Sequence, residues 1–283
     1  MMEQWMVPFQ YEYLVKAMVV CAFVGAVCGA LSAMVTLKGW SLLGDALSHA
    51  VVPGVVLAHL LSWPLAVGSL ISGVLAAGAM TWVKAHSRLR EDAVMGVVFT
   101  TFFAIGLLGI SLYPSQLDLK SIVFGNVLAI APKDLWQVIG MGGFVALVLL
   151  LKWRDMMLFC FDEQQARVQG LNVRLLHAVF LLLLSAMAVA ALMTVGALLV
   201  VAMLITPGAT AYLLTNRFSR MMILSAVFGG VTSALGAYAS YFVDGSTGAC
   251  IVSLQALLFL LCLWWAPQHG WFAQRRREKE VAS

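Results

Sequence analysis

Residues 44–54 read Gly-Asp-Ala-Leu-Ser-His-Ala-Val-Val-Pro-Gly and place two ionisable side chains in a chain that is otherwise mostly hydrocarbon. Asp45 and His49 are four residues apart, so on a helix they share one face and can approach one guest. Ionisable groups at membrane depth are costly and usually face a bundle interior or a water-filled path. Pro53 and Gly54 are expected to interrupt the helix, as in the discontinuous helices that line transporter sites. The stretch therefore predicts an ion pathway.

The composition is that of an integral membrane protein. Hydrophobic residues make up 62% of the 283 and charged residues 11%, and the mean hydropathy is +0.96. The apolar stretches leave no room for a separate soluble domain, so one membrane domain is predicted over 1–283, with an apolar bundle at 14–266 and a basic tail at 267–283. The net charge of +4 lies largely in loops and tail, which indicates orientation in a lipid membrane and not nucleic-acid binding.

Turn residues and charges divide the apolar stretches into candidate membrane crossings. These lie at about residues 14–37, 39–61, 65–83, 93–113, 135–151, 178–215 (out and back), 221–242 and 249–265. The basic loop at 84–90 and the pair Arg217 and Arg220 are assigned to the cytoplasm by the positive-inside rule, which also places the C-terminus there. Breaks are expected near 194–196 and 206–208, and a helix across the outer mouth is expected at 114–133.

The number of crossings stays open at this point. If every stretch crosses fully, the count is odd and the N-terminus lies outside. If one broken segment is re-entrant, eight crossings remain and both ends lie inside, and this is the alternative that the broken segments favour. The predicted fold is therefore an all-α polytopic membrane protein with about eight transmembrane helices and a broken or re-entrant segment.

A polar run at 161–177 predicts a short cytoplasmic helix between two crossings. Asp162 is a candidate N-cap and Gly170 a candidate C-terminal stop. Such a surface helix is where a soluble partner can hold a membrane subunit. An ordinary solvated connector is the alternative interpretation.

Asp45 and His49 supply an oxygen and a nitrogen ligand, which together favour a first-row divalent cation over an alkali ion. Two ligands leave the coordination sphere unfilled, and this suits transport because the ion must be released. A buried structural hydrogen bond between the two side chains is the alternative. His59, ten residues beyond His49, is a weaker auxiliary candidate, and Asp118 and Asn126 are candidates for an outer vestibule.

The chain lacks the motifs of several enzyme classes. It has no GxxxxGK[ST] phosphate loop, no HExxH and no GxSxG. No enzymatic activity and no tightly bound cofactor are therefore expected. The five cysteines include no CxxC, so they are interpreted as packing residues.

Four segments together resemble the permease subunits of bacterial ABC importers for manganese, iron and zinc, with the enteric manganese/iron permeases as the most similar group. They are Gly-Asp-Ala-Leu-Ser-His-Ala-Val-Val-Pro-Gly (44–54), Arg-Glu-Asp-Ala-Val-Met-Gly (90–96), Phe-Gly-Asn-Val-Leu-Ala (124–129) and Val-Gly-Ala-Leu-Leu-Val-Val-Ala-Met-Leu-Ile-Thr-Pro-Gly-Ala-Thr-Ala (195–211). The resemblance extends over about residues 15–266.

This resemblance implies a multi-pass permease in the bacterial inner membrane, with a second permease copy or paralogue, a cytoplasmic ATP-binding subunit and a periplasmic metal-binding protein as partners. It implies that Asp45 and His49 bind the transported Mn²⁺ or Fe²⁺, with Zn²⁺ as a further candidate. Two facing pairs could complete a coordination sphere. The run from Asp162 through Glu163, Ala166 and Arg167 to Gly170 is similar to the coupling helix that enters a cleft on the ATPase.

Two other classes of function remain to be separated from this one. A proton- or ion-coupled secondary carrier, with Asp45 carrying the proton, would transport without an ATPase. A membrane-embedded metalloenzyme would need a third ligand and a general base beside Asp45 and His49, and the sequence offers no strong candidate for either.

Overall fold

The computed structural model describes residues 8–113 and 132–266, and these residues form helices with no strand among them. In chain order the helices are α1 (Glu12–Lys38), α2 (Ser41–Ala50), α3 (Val52–Leu60), α4 (Leu65–His86), α5 (Glu91–Leu112), α6 (Pro132–Phe161), α7 (Glu163–Val168), α8 (Val173–Val195), α9 (Ala197–Leu214), α10 (Phe218–Val243) and α11 (Thr247–Trp265). Several predicted features lie outside the described residues. They are Asp118, Asn126, the motif at 124–129, the tail at 267–283 and nearly all of the helix expected at 114–133.

Eight segments of the described chain are long and apolar enough to cross a membrane, with α2 and α3 counted together as Leu42–Leu60. A shorter apolar helix, Leu199–Leu214, accompanies them. The predicted all-α polytopic fold is therefore confirmed. The chain divides into two compact units, residues 38–201 and residues 1–37 with 202–283.

In the unit of residues 38–201, α3 and α4 form a tight antiparallel pair because two glycines face each other. A Cβ added at Gly54 would collide with the carbonyl of Gly68 and would lie 2.6 Å from Cβ of Ser72. Ser72 Oγ also donates a hydrogen bond to the carbonyl of Ala50 at 2.7 Å. Small residues and interhelical hydrogen bonds are the usual means of association where lipid removes the hydrophobic driving force. Gly54 therefore serves a close approach between helices.

In the unit of residues 1–37 and 202–283, α1 and α10 cross through a similar contact. A Cβ at Gly25 would lie 2.8 Å from Cβ of Ser233, and Gly29 packs against the backbone of Ser225. Ser225 Oγ donates to the carbonyl of Gly29 at 2.5 Å. The GxxxG pattern of Gly25 and Gly29 is therefore the packing surface that such patterns favour.

The aromatic contacts of α1 give its direction within this unit. The ring of Tyr11 lies 6.1 Å from that of Tyr241, near the end of α10, whereas Arg217 and Arg220 lie at the start of α10. Helices α1 and α10 are thus antiparallel, and α11 turns back after α10. The N-terminal end of α1 and the C-terminal end of α11 lie at opposite ends of the unit. The eight long apolar segments agree with the count that the sequence favours, and the side of the membrane on which the N-terminus lies stays a prediction.

The predicted helix breaks are only partly correct. Gly196, with φ of +84°, separates α8 from α9 as expected. The break expected at 206–208 is wrong, because α9 continues through Pro207. Proline removes one backbone donor, and the helix tolerates this where neighbours supply other partners. Here Gly208 N–H donates to Ser32 Oγ of α1 at 2.9 Å.

Candidate functional site

Asp45 and His49 lie on one face of α2 and contact each other. His49 Nε2 is 3.3 Å from Asp45 Oδ1. The side chain of His49 is 25% exposed and that of Asp45 42%, so the pair is open on one side. The two side chains are close enough for the structural hydrogen bond that is the alternative interpretation, although neither side chain is fully buried. The ion-binding role of the pair stays a prediction.

The helix around the pair is interrupted less than expected. Val51 separates α2 from α3 but keeps right-handed helical angles (φ −74°, ψ −23°), and Pro53 lies in the first turn of α3. Pro53 has no N–H to donate to the carbonyl of His49, four residues before it. The discontinuity therefore falls at Val51, two residues after His49 and two residues before the predicted Pro53.

Two phenylalanines of α5 hold the imidazole of His49. Its ring centroid is 5.1 Å from that of Phe99 and 5.2 Å from that of Phe103, the second in an edge-on arrangement. The sequence analysis missed both residues. Their spacing of four residues on α5 was the available signal, but nothing local indicates which helix they face.

His59 is not brought to the pair. It lies exposed in the last turn of α3, and ten residues of helix correspond to about 15 Å from His49. Within residues 8–113 and 132–266, no three His, Cys, Asp or Glu side chains form a group that could hold a metal ion. Among the described residues, Asp45 and His49 therefore stand as a pair without a third side chain of these types beside them.

The short helix predicted in the polar run is present as α7, and the predicted residues form its two ends. The carboxylate of Asp162 accepts hydrogen bonds from the N–H groups of Gln164 (2.8 Å) and Gln165 (3.1 Å), as an N-cap does. Gly170 has φ of +78°. The N–H groups of Gly170 and Leu171 donate to the carbonyls of Arg167 and Ala166, each at 3.0 Å. This is the Schellman closure of a helix end.

The side chains of α7 divide into an inner and an outer set. Ala166 is fully buried, and Glu163 contacts Lys38. Arg167 is largely exposed and lies 3.8 Å from the other carboxylate oxygen of Glu163. Phe161 and Val168 are apolar and exposed at the two ends of the helix. The sequence analysis named Glu163 but not Lys38, its partner 125 residues earlier.

Known proteins resemble this chain over nearly its whole length. It is 53% identical to the chelated iron transport system membrane protein YfeC of Yersinia pestis over 281 residues, which is 99% of this chain and 95% of that protein. It is 47% identical to the manganese transport system membrane protein MntB of Synechocystis over 276 residues, 97% of this chain and 90% of that one.

A solved structure, PsaBC from Streptococcus pneumoniae in complex with Fab, includes a chain that superposes with a TM-score of 0.87 at 35% identity. The match covers 97% of this chain and all of that one. The sequence pattern of the ABC 3 transport family matches residues 10–266. The chain therefore belongs to the ABC 3 transport family.

Proposed function

We propose that this chain is the membrane permease of an ATP-driven importer that carries a divalent transition-metal cation from the periplasm to the cytoplasm. Mn²⁺ and Fe²⁺ are the leading cargoes, because relatives are named for manganese and chelated iron transport. Zn²⁺ is a third candidate. The observation that carries the proposal is the open contact of a carboxylate and an imidazole, 3.3 Å apart, on one membrane-crossing segment.

The ligand chemistry supports a metal of this class. Carboxylate oxygen suits Mn²⁺, and imidazole nitrogen suits iron and zinc. A six-coordinate cation needs more ligand atoms than these two side chains provide, and the partial exposure of Asp45 leaves room for further ligands. A second permease, either identical or a paralogue, would supply a second pair. Water or backbone oxygens would complete the shell, and so loose a site releases its ion readily.

The partners follow from the same proposal. Helix α7 would be the coupling helix that docks on a separate cytoplasmic ATPase, which hydrolyses the ATP. The exposed Val168 and Arg167 of α7, together with Phe161 at the end of α6, would supply apolar and charged contacts for such a surface. A periplasmic metal-binding protein would deliver the ion at the other face of the inner membrane. The C-terminus would lie in the cytoplasm, at the same end as Arg217 and Arg220.

Uptake of radiolabelled Mn²⁺ by cells that express this chain tests the proposal. The measurement is made with and without the candidate ATPase, and with Asp45→Ala in place of the native chain. We expect uptake that needs both the ATPase and Asp45. Uptake that persists without the ATPase would contradict the proposal and support the secondary carrier, which membership of the ABC 3 transport family does not favour.

A further inference from the structure

The ammonium group of Lys38, at the end of α1, lies in an enclosed aromatic and polar environment. Its Nζ donates to Glu163 Oε1 at 2.5 Å and to the carbonyl of Phe159 at 3.4 Å. It also lies 4.4 Å from the ring centroid of Phe159 and 5.3 Å from that of Trp40. The side chain is only 12% exposed. Lys38 thus connects the end of α6 with the first residue of α7.

Four rings form a cluster next to this ion pair: Trp40, Phe159, His177 and Phe180. The ring of Trp40 lies 5.3 Å from that of His177 and 6.0 Å from that of Phe180. The ring of Phe159 lies 6.0 Å and 6.3 Å from the same two. Trp40, Phe159 and Phe180 are buried. The cluster therefore packs the start of α2 against α6 and α8. The contact of Lys38 with α7 lies beside it.

Trp40 is the residue from which α2 begins. It occupies the N-cap position, and its carbonyl accepts a hydrogen bond from the N–H of Leu43 at 3.0 Å. Asp45 follows five residues later, which is about 7.5 Å along the helix axis. A hydrogen-bonded helix of this length moves as a rigid piece, so a shift of Trp40 displaces the Asp45/His49 pair.

We propose that the ion pair of Lys38 and Glu163 is the joint through which a movement of α7 shifts α2 and the Asp45/His49 pair. This inference rests on the proposed function, because it assigns α7 to an ATPase and Asp45 and His49 to the ion. Lys38 and Glu163 are positioning residues in this account. Neither needs to contact the cation or the ATP.

The electrostatics of the site make this joint stiff. The two opposite charges are partly removed from water, where their attraction is stronger than at an exposed surface. Loss of Glu163 leaves the ammonium group of Lys38, whose side chain is 12% exposed, enclosed without its counterion, which costs more than loss of an exposed pair. Glu163 is 37% exposed and has Arg167 as a second neighbour at 3.8 Å, so loss of Lys38 is the milder change. Lys152 and Asp155 supply the matched control, because they form an ion pair of 3.2 Å on α6 whose lysine side chain is 62% exposed.

The test uses the full permease and ATPase complex in proteoliposomes, with the periplasmic metal-binding protein supplied at the outer face of the permease, and Mn²⁺ uptake and ATP hydrolysis are measured on the same sample. Lys38→Met and Glu163→Gln are expected to lower the Mn²⁺ transported per ATP by about tenfold, in the range that coupling residues show. The exchanged pair, Lys38→Glu with Glu163→Lys, is expected to recover at least part of the loss. Lys152→Met should leave the ratio within about twofold of the native value.

A purely structural role would give a different result, because the variants would lower the yield or thermal stability of the complex without changing the ratio in the complexes that form. That outcome, or an unchanged ratio in well-folded Lys38→Met, would overturn the inference. Failure of the proposed function is distinct, since the native complex would then show no ATP-dependent uptake at all. If Lys38→Met does not assemble, the Mn²⁺ transported per ATP is measured in the exchanged pair and in Lys38→Arg. A low ratio in both of these variants would also overturn the inference.

Discussion

Two pairs, each of one acidic and one basic side chain, lie in the same compact unit. They differ in how much of each side chain is exposed. Asp45 and His49 are four residues apart on one helix, and their side chains stay 42% and 25% exposed. Lys38 and Glu163 are 125 residues apart, and their side chains are 12% and 37% exposed, so the enclosure of this pair is that of the lysine. An open pair can exchange its mutual contact for a guest. A closed pair, in which the ammonium group is enclosed, is less suited to exchange, and we propose that it transmits position instead.

The strongest way to test this difference is to remove one ligand of the open pair. We expect His49→Ala to lower radiolabelled Mn²⁺ uptake by about 100-fold or more, because loss of a ligand exceeds the loss seen when outer partners are removed. The assembled complex should still hydrolyse ATP. His59→Ala is the matched control and should leave uptake within about twofold. Equal loss in both variants would remove the distinction between the two histidines.

A second test concerns the backbone that holds the open pair. We expect Gly54→Ala to lower the free energy of unfolding by about 1–3 kcal/mol, because the added methyl has no space against Gly68. Gly78→Ala is the control, since no atom lies within 4 Å of its added Cβ. It should be neutral or stabilising by up to about 1 kcal/mol. Thermal unfolding in detergent, measured on both variants, checks the prediction.

The phenylalanines of α5 permit a finer test of the same pair. Phe103→Ala frees one edge of the His49 ring, which is 5.2 Å away. We expect the apparent affinity for Mn²⁺ to fall by roughly tenfold, with maximal uptake less affected. Phe102→Ala, at a residue that lines a cavity beside α3 and α4, is the control. A similar loss of affinity in both would indicate general loosening of α5.

The sequence predicts the open pair well and the closed pair poorly, for a physical reason. Asp45 and His49 form a local pair, so helical spacing alone brings them together. The cap of Asp162 and the stop at Gly170 are local for the same reason. Lys38 and Glu163 meet only through tertiary packing, and no pattern within one segment relates them. The contact of His49 with Phe99 and Phe103 is equally nonlocal.

The glycine and proline positions predicted a helix end correctly only where the surrounding structure also favoured an end. Gly196 ends α8 because its positive φ suits glycine. Pro207 does not end α9, since Ser32 of α1 supplies a partner for the N–H of Gly208. The sequence also could not predict the direction of α1, because there are few charges near the N-terminus. Packing against α10 decides it.

The smallest expected effect concerns α7, on which the closed pair depends. Asp162→Ala removes the acceptor of two N–H groups, and loss of an N-cap typically costs about 1 kcal/mol. In a helix of six residues this loss frays the first turn, which contains Glu163. We expect the Mn²⁺ transported per ATP to fall by about fivefold, in proportion to that cost.

Asp162→Asn keeps a capping oxygen and should retain most of the native ratio. Asn172→Ala, at the N-cap of α8, removes a comparable bond of 3.1 Å outside the closed pair. An equal fall in Asn172→Ala would show that any loosening on this side of the membrane suffices, and the special role of α7 would be lost.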